Sequence, residues 1–85
     1  MNPVWSDHAW DDYTYWARTD VKKPKKINDL IESIKQDPFR GLGKPEPLKG
    51  PRLKGCWSRR IDQEHRLVYR IKDGVLEIIQ CRYHY

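Results

Sequence analysis

Residues 56–83 read CWSRRIDQEHRLVYRIKDGVLEIIQCRY, and this stretch predicts three consecutive β-strands. Two turn-forming segments, at residues 62–64 and 72–74, separate the apolar runs, and the Asp73-Gly74 pair is a strong hairpin signal. The predicted strands are residues 56–61, 65–71 and 75–83. Because their connections are short, we expect them to form an antiparallel meander.

The middle strand has two unlike faces, because side chains alternate across a strand. One face carries His65, Leu67, Tyr69 and Ile71, which suits a core beneath helices. The other face carries Arg66, Val68, Arg70 and Lys72, and we call this side of the sheet the open face.

Arg59 and Arg60 are consecutive in the neighbouring strand, so their side chains must lie on opposite faces of the sheet. We expect Arg60 on the open face, because Arg59 shares its parity with Trp57 and Ile61, which look like core. The last strand is apolar on both faces, with Val75, Ile79 and Cys81 on one and Leu76 and Ile78 on the other. That pattern predicts a central, well-covered strand.

Two amphipathic helices are predicted ahead of the sheet. Ser6 is a suitable N-cap for the first, over about residues 7–18, in which Ala9, Tyr13 and Trp16 recur at helical spacing. The stripe of the second consists of Ile27, Leu30, Ile31 and Ile34. This helix should begin nearer Lys23 than Val21, because Pro24 is tolerated only in a first turn.

The second helix should end at Asp37-Pro38, and residues 38–55, rich in Gly and Pro, are expected to be a long loop of functional importance. Residues 3–5 are a candidate short strand. The two helices can bury their stripes only against one face of the sheet. The sequence therefore predicts an α+β fold, one domain over residues 1–85, with two N-terminal helices on one face of a twisted antiparallel sheet.

Charge is distributed unevenly along a chain whose net charge is +5. Residues 1–20 have a net charge of −3, whereas residues 39–72 contain ten of the seventeen basic residues and a net charge of +7. Such an asymmetry indicates a nucleic-acid or acidic protein partner, although ordinary solubility charge is the alternative. Four lysines, at positions 22, 23, 25 and 26, either face a partner or form a solvated helix face.

The two cysteines, Cys56 and Cys81, lie in apolar patterns and are expected to be small buried side chains, although a disulfide stays possible. Their spacing does not suggest a zinc site. The sequence shows neither a signal peptide nor an apolar run of membrane-spanning length. We therefore expect a cytoplasmic protein.

Several motifs give the chain a specific resemblance. They are Trp10-Asp11-Asp12-Tyr13, the loop Gly43-Lys44-Pro45-Glu46-Pro47-Leu48-Lys49, Trp57-Ser58-Arg59-Arg60-Ile61, Glu64-His65-Arg66-Leu67-Val68-Tyr69 and Cys81-Arg82-Tyr83-His84-Tyr85. Over nearly its whole length the chain resembles the Txe/YoeB family of RelE-like bacterial toxins. It departs from the family pattern at Pro24, at Cys56 and at Gly50-Pro51-Arg52, where the loop is one residue longer.

The resemblance implies a RelE/ParE-like fold and an mRNA endonuclease that acts in the ribosomal A site. It implies cleavage without metal or cofactor, leaving a cyclic phosphate and a 5′-hydroxyl, and neutralisation by a cognate, YefM-like antitoxin. A homodimer is also plausible. The resemblance further implies catalytic roles for Glu46, Arg66, His84 and Tyr85. Implied RNA or phosphate contacts are Lys44, Lys49, Arg60 and Arg82.

The residue chemistry agrees with these roles but does not require them. Metal-free RNA cleavage needs a base, cations at the phosphate and an acid. Glu46 fits the role of the base, and a structural salt bridge is the alternative. Arg66 fits a forked phosphate contact, and a solvated position is the alternative. His84 fits the role of the acid, and a simply exposed terminal histidine is the alternative. Tyr83 and Tyr85 suit base stacking or rim packing.

Two other functions remain open at the level of sequence. One is a toxin of the same fold that does not cut RNA, either by binding RNA or the ribosome or by inhibiting gyrase as ParE toxins do. The other is a purely structural partner protein, which would leave the cationic open face unexplained.

Overall fold

The computed structural model describes residues 2–83, which fold into two helices and a five-stranded sheet. The elements are β1 (Val4–Trp5), α1 (Asp7–Thr19), α2 (Lys22–Gln36), β2 (Glu46–Pro47), β3 (Trp57–Arg60), β4 (Arg66–Lys72) and β5 (Val75–Gln80). The strand order is β1-β5-β4-β3-β2. Strands β3, β4 and β5 form the predicted antiparallel meander, whereas β1 pairs with β5 in parallel, so the whole sheet is mixed.

Both helices begin and end close to the predicted positions. The Ser6 hydroxyl caps α1 by accepting the Ala9 N–H at 3.0 Å. Helix α2 starts at Lys22, which leaves Pro24 in its first turn as expected, and stops before Asp37. In the part of the chain that the structure describes, neither helix is long and apolar enough to cross a membrane.

The core lies between the helices and one face of the sheet, as the apolar periodicity predicts. On the sheet side, Leu67 and Tyr69 of β4 are completely buried. The predicted α2 stripe lies against that face, with Ile27, Leu30 and Ile34 completely buried as well. Burial of each such aliphatic side chain contributes roughly 1.5–3 kcal/mol, so this layer is the main source of stability.

Strand β5 ends at Gln80, three residues earlier than predicted, because helix α1 binds the backbone of the next residue. The Cys81 N–H donates to the Asp12 carboxylate at 3.0 Å, and its carbonyl accepts from the Trp16 indole at 2.9 Å. The alternation of side chains between the two faces of the sheet ends after Gln80. Cys81 therefore lies in the main core and not, as the sequence pattern predicts, on the face of Ile79. Strand β5 is central as predicted, but Val75 at its start is 41% exposed.

Residues 38–55 contain a strand that the loop prediction missed. Strand β2 pairs with β3, with Glu46 opposite Ser58 and Pro47 opposite Trp57. Residues 48–56 then fold over the open face, where Leu48, Cys56 and Val68 form a small second cluster. Both cysteines are buried and free, as buried apolar side chains would be.

Arg59 is completely buried, and all its donor groups are used. Its Nε donates to the Tyr69 hydroxyl at 3.1 Å and one terminal nitrogen donates to the Ser33 hydroxyl at 2.7 Å and the Leu42 carbonyl at 3.0 Å. The other terminal nitrogen donates to the Asp37 and Arg40 carbonyls at 2.7 and 2.9 Å. The guanidinium therefore fastens the C-terminal end of α2 and the chain that follows it to strand β3.

Asp62, in the turn between β3 and β4, joins that turn to helix α2. Its carboxylate accepts the N–H groups of Glu64 and His65, both at 2.7 Å, and pairs with the Lys23 ammonium at 2.6 Å. Partial burial alone would raise the pKa of Asp62, but the bonds from Lys23 and the two amides outweigh it and lower the pKa to about 2. Lys23 is therefore used inside the protein and is not simply a partner-facing cation.

Replacing Arg59 with Lys should destabilise the fold by about 3 kcal/mol, because a single ammonium leaves several buried acceptors without a donor. Arg60→Lys is the matched control: Arg60 is exposed on the same strand, so its change should stay within about 0.5 kcal/mol. Urea unfolding of both variants measures the difference. Equal stability of the two variants would show that the Arg59 bonds contribute little.

Asp62→Asn keeps an acceptor for the two amides but removes the ion pair, and should cost about 1–2 kcal/mol at pH 7, allowing for partial exposure. The native pKa of Asp62 lies below its ordinary value of 3.8. Its stabilising effect is therefore complete above about pH 5 and is lost as the pH falls from about 4 to about 2.

Urea unfolding of wild type and Asp62→Asn at several pH values should show the two stabilities converging over that range. Asp29→Asn, which breaks the exposed Lys25–Asp29 pair, is the control and should show little effect at any pH. A wild-type advantage that persists undiminished at pH 2 would contradict this account.

Candidate nucleic-acid interface

The register of three strands brings Glu46, Arg60 and Arg66 to the open face. Glu46 pairs with Ser58, and Arg60, two residues further along β3, pairs with Arg66. Since residues two apart on a strand share a face, and paired residues do too, all three project away from the helices. Their side chains arise within roughly 12 Å of one another, from the usual strand spacing and rise. Long side chains can span that distance around one ribose–phosphate linkage.

The loop before β2 is held against β3 by a close contact at Gly43. The Gly43 carbonyl accepts the Arg60 N–H at 2.7 Å, and its backbone has a φ of +85°. A Cβ at this position would come within 2.7 Å of the Leu30 side chain, so glycine is required here. This contact fixes where Lys44 and Glu46 leave the loop.

Glu46 lies on the edge strand with an exposed side chain. Within residues 2–83 its carboxylate forms no ion pair, so the salt-bridge alternative finds no partner in this range. Lys44 and Lys49 on either side of it are exposed too. An exposed carboxylate between two cations can approach a ligand without first breaking internal contacts.

Arg66 is half-buried, and part of its guanidinium is already oriented. One terminal nitrogen donates to the Asp62 carbonyl at 2.7 Å and to the His65 carbonyl at 3.1 Å. This is more order than a solvated strand arginine requires. A guanidinium fixed along one edge can present its remaining N–H groups to a phosphate without losing much further conformational freedom.

The chain that leads to His84 and Tyr85 is anchored beside Arg66. The Tyr83 carbonyl accepts the Arg66 N–H at 3.1 Å, and the Tyr83 N–H donates to Nδ1 of His65 at 2.7 Å. His84 and Tyr85 themselves lie outside the described residues, so their predicted roles stay predictions. Tyr83 is 56% exposed and contacts the His65 ring at a centroid distance of 5.6 Å, which combines rim packing with an accessible face.

Arg82 contacts a different part of the molecule from the other candidate cations. Its guanidinium lies 3.5 Å from the centroid of the Tyr15 ring and 4.5 Å from that of Tyr83, and it donates to the Tyr83 hydroxyl at 2.7 Å. Tyr15 belongs to α1. The described contacts of the Arg82 guanidinium are therefore with these two rings.

Other charges predicted to face a partner are partly neutralised inside the molecule. Arg70, expected on the cationic open face, pairs with Glu77 of β5 at 2.7 Å. In the lysine group of α2, Lys25 pairs with Asp29 and Lys23 with Asp62. These three cations are therefore less available to a ligand than the sequence alone indicates.

The cysteine thiols do not supply chemistry to this site. Burial raises the pKa of the Cys81 thiol to about 12 and also raises that of Cys56. Both thiols therefore stay protonated near neutral pH. Among residues 2–83, no three His, Cys, Asp or Glu side chains come together in a way that could hold a metal ion.

Sequence reasoning missed three residues that organise the site. The sequence pattern places His65 in the core, but its ring also accepts the Tyr83 N–H. The pattern places Asp62 in a turn, but its carboxylate also accepts the His65 N–H. The buried Asp12 carboxylate accepts the Cys81 N–H. Only Asp62 carries a recognisable signal, because an Asp accepting amides two and three residues ahead is typical of tight turns. The partners of His65 and Asp12 are distant in sequence and give no local pattern.

Comparison with known proteins identifies the family to which the chain belongs. Residues 5–85 match the family described as YoeB-like toxin of bacterial type II toxin-antitoxin system. The chain is 56% identical to the toxin YoeB of Escherichia coli strain K12 over 85 residues, which is the full length of both. It superimposes on the YoeB/ParE toxin from Agrobacterium tumefaciens with a TM-score of 0.95 at 57% identity, covering both chains completely.

The YoeB of Staphylococcus aureus provides a further comparison, having been solved both as a YoeB-YefM complex and as a YoeB dimer. The complex matches with a TM-score of 0.90 at 45% identity, and the dimer with 0.92 at 46%. Each covers all of this chain and 98% of its own. With a family match over nearly the whole sequence and relatives above half identity, the chain belongs to the YoeB-like toxins of bacterial type II toxin–antitoxin systems.

Proposed function

We propose that this toxin, acting as one domain, is an endoribonuclease that cleaves mRNA in the ribosomal A site and so inhibits translation in the cytoplasm. The observation that carries the proposal is the shared placement of Glu46, Arg60 and Arg66 on the open face, with the chain before His84 bound to the backbone of Arg66. A purely structural protein does not need the cationic groups, and a passive binder does not need the carboxylate of Glu46 beside them.

The proposed reaction uses a base, a cationic site and an acid. Glu46 removes the proton from a ribose 2′-hydroxyl, and the resulting oxygen attacks the adjacent phosphorus. Arg66, with Arg60 and Lys49, stabilises the negative charge that builds on the phosphoryl oxygens. As the bond from phosphorus to the 5′-oxygen breaks, His84 donates a proton to that oxygen. The products are a 2′,3′-cyclic phosphate and a 5′-hydroxyl.

The remaining candidate residues serve binding in this scheme. The exception is Tyr85, which keeps the catalytic role that the family resemblance implies. Lys44 contacts the RNA backbone. Arg82 contributes by holding Tyr83 through its hydroxyl and ring, and an exposed tyrosine ring offers a surface on which an unpaired base can stack.

We also propose that a YefM-like antitoxin binds this toxin, since the Staphylococcus aureus relative has been solved as a YoeB-YefM complex. An acidic segment of that antitoxin would cover the open face. A net charge of +7 over residues 39–72 favours such a partner electrostatically. Self-association is a second proposal, since the Staphylococcus aureus relative has been solved as a dimer.

Glu46→Gln and His84→Gln should each slow cleavage of mRNA on programmed ribosomes by about 10²-fold or more, because each removes a proton-transfer group. Binding to ribosomes should be retained. Glu32→Gln is the control, because Glu32 is an exposed carboxylate on helix α2. Primer extension locates the cuts and end-labelling identifies the 5′-hydroxyl.

The outcomes separate the alternatives. Intact mRNA on ribosomes saturated with toxin would support a non-cleaving inhibitor of the same fold, and inhibition of gyrase supercoiling would identify it as ParE-like. Cleavage undiminished in Glu46→Gln would remove Glu46 from the reaction.

Affinity for the antitoxin should fall as salt is added, because charged groups on the open face are screened. Arg60→Gln should weaken binding and make it less dependent on salt, whereas Arg18→Gln, an exposed change on α1, should do neither. Isothermal titration at several salt concentrations measures both effects. Affinity that is independent of salt would indicate an apolar interface.

A further inference from the structure

His65 occupies a position between the core and the candidate site. It is 8% exposed, and its ring packs edge-on against the Trp16 indole at a centroid distance of 4.7 Å. Its backbone is fixed too, since its carbonyl accepts the Ile61 N–H at 3.0 Å and its own N–H donates to Asp62 at 2.7 Å. The imidazole is therefore held from several sides and has little freedom to move.

The orientation of the ring assigns its proton. A backbone N–H can only donate, so the 2.7 Å bond from Tyr83 requires that Nδ1 of His65 carry a lone pair. The imidazole is then neutral with its proton on Nε2, and Nε2 faces the Glu64 carboxylate at 3.6 Å. The ring functions here as a hydrogen-bond acceptor for the backbone.

Tyr83 needs such an anchor because its conformation is unfavourable. Its φ is +64°, a left-handed value that costs a bulky residue on the order of 1 kcal/mol. Two bonds offset this cost, one to His65 and one from the Arg66 N–H. Together they attach the residue before His84 to Arg66, the first residue of β4, and to His65, which precedes that strand.

We propose that His65 is a positioning residue that, by accepting the Tyr83 N–H, holds Tyr83 at the backbone of Arg66 and so fixes the residue that precedes His84. The inference rests on the proposed function, because it gives the anchored residues a catalytic purpose. His65 does not touch the RNA and exchanges no proton in the reaction. Its contribution is to fix the point from which the chain continues to His84, the proposed acid.

Substitutions at His65 separate the acceptor from the ring. His65→Asn keeps an acceptor near the position of Nδ1, whereas His65→Phe keeps a ring against Trp16 but accepts no bond. In His65→Phe, the Tyr83 amide should exchange with solvent about tenfold faster and single-turnover cleavage should be about tenfold slower, the usual effect of losing one hydrogen bond. KM should change little, and His65→Asn should recover much of both losses.

A second variant leaves His65 untouched. Because Cys81 precedes Arg82, a synthetic peptide of residues 81–85 can be ligated to residues 1–80 with an ester in place of the amide between Arg82 and Tyr83. The ester has no N–H to donate to His65. It should slow cleavage about tenfold as His65→Phe does, and combining the two changes should cost little more than either alone.

Amide exchange measured on the free protein decides whether the anchor exists, independently of cleavage. Protection of the Tyr83 amide that is unchanged in His65→Phe would overturn the proposal, as would full cleavage activity of the ester variant. If the wild type did not cleave mRNA at all, the proposed function would fail, and the catalytic purpose of the anchor with it. Loss of Tyr83 protection would still establish the contact.

Discussion

The buried guanidinium of Arg59 is the interaction on which the arrangement of the site depends. Its five donor groups bind uncharged acceptors from helix α2, the following loop and β4. Carbonyls at a helix C-terminus carry partial negative charge, so they suit a cation that lacks a carboxylate partner. Removing the charge from water is costly, and full hydrogen bonding is what makes its burial possible. The same contacts fix the loop that leads to Gly43 and Glu46.

A second set of contacts fixes the opposite end of the candidate site. Helix α2 holds Asp62 through Lys23, Asp62 holds the backbone of His65, and His65 holds Tyr83. The two sets meet on adjacent strands, since Arg60 and Arg66 are paired across β3 and β4. Helix α2 thus supports both the loop that carries the proposed base and the segment that precedes the proposed acid, although it lies on the other side of the sheet.

Local patterns in the sequence were sufficient for most of the fold. Helical spacing located the stripe of α2, alternation identified the buried face of β4, and Asp73-Gly74 placed a hairpin. Strand β2 was not predicted because it has only two residues, one of them a proline, and so shows no periodicity. For the site, parity placed Arg60 and Arg66 correctly, and the family resemblance supplied Glu46. The anchoring of Tyr83 by His65 could not be predicted from the sequence. The two residues are 18 positions apart, and no local pattern indicates the left-handed backbone of Tyr83.

The parallel pairing of β1 with β5 has a consequence for the order in which the protein folds. Val4 pairs with Glu77 and Trp5 with Ile78, so this part of the sheet joins residues 73 positions apart in the sequence. Contacts so distant along the chain delay folding until both participants are available. Until strand β1 pairs, the outer edge of β5 lacks its neighbouring strand, so the last pairing in the sheet also covers a backbone edge that would otherwise stay exposed.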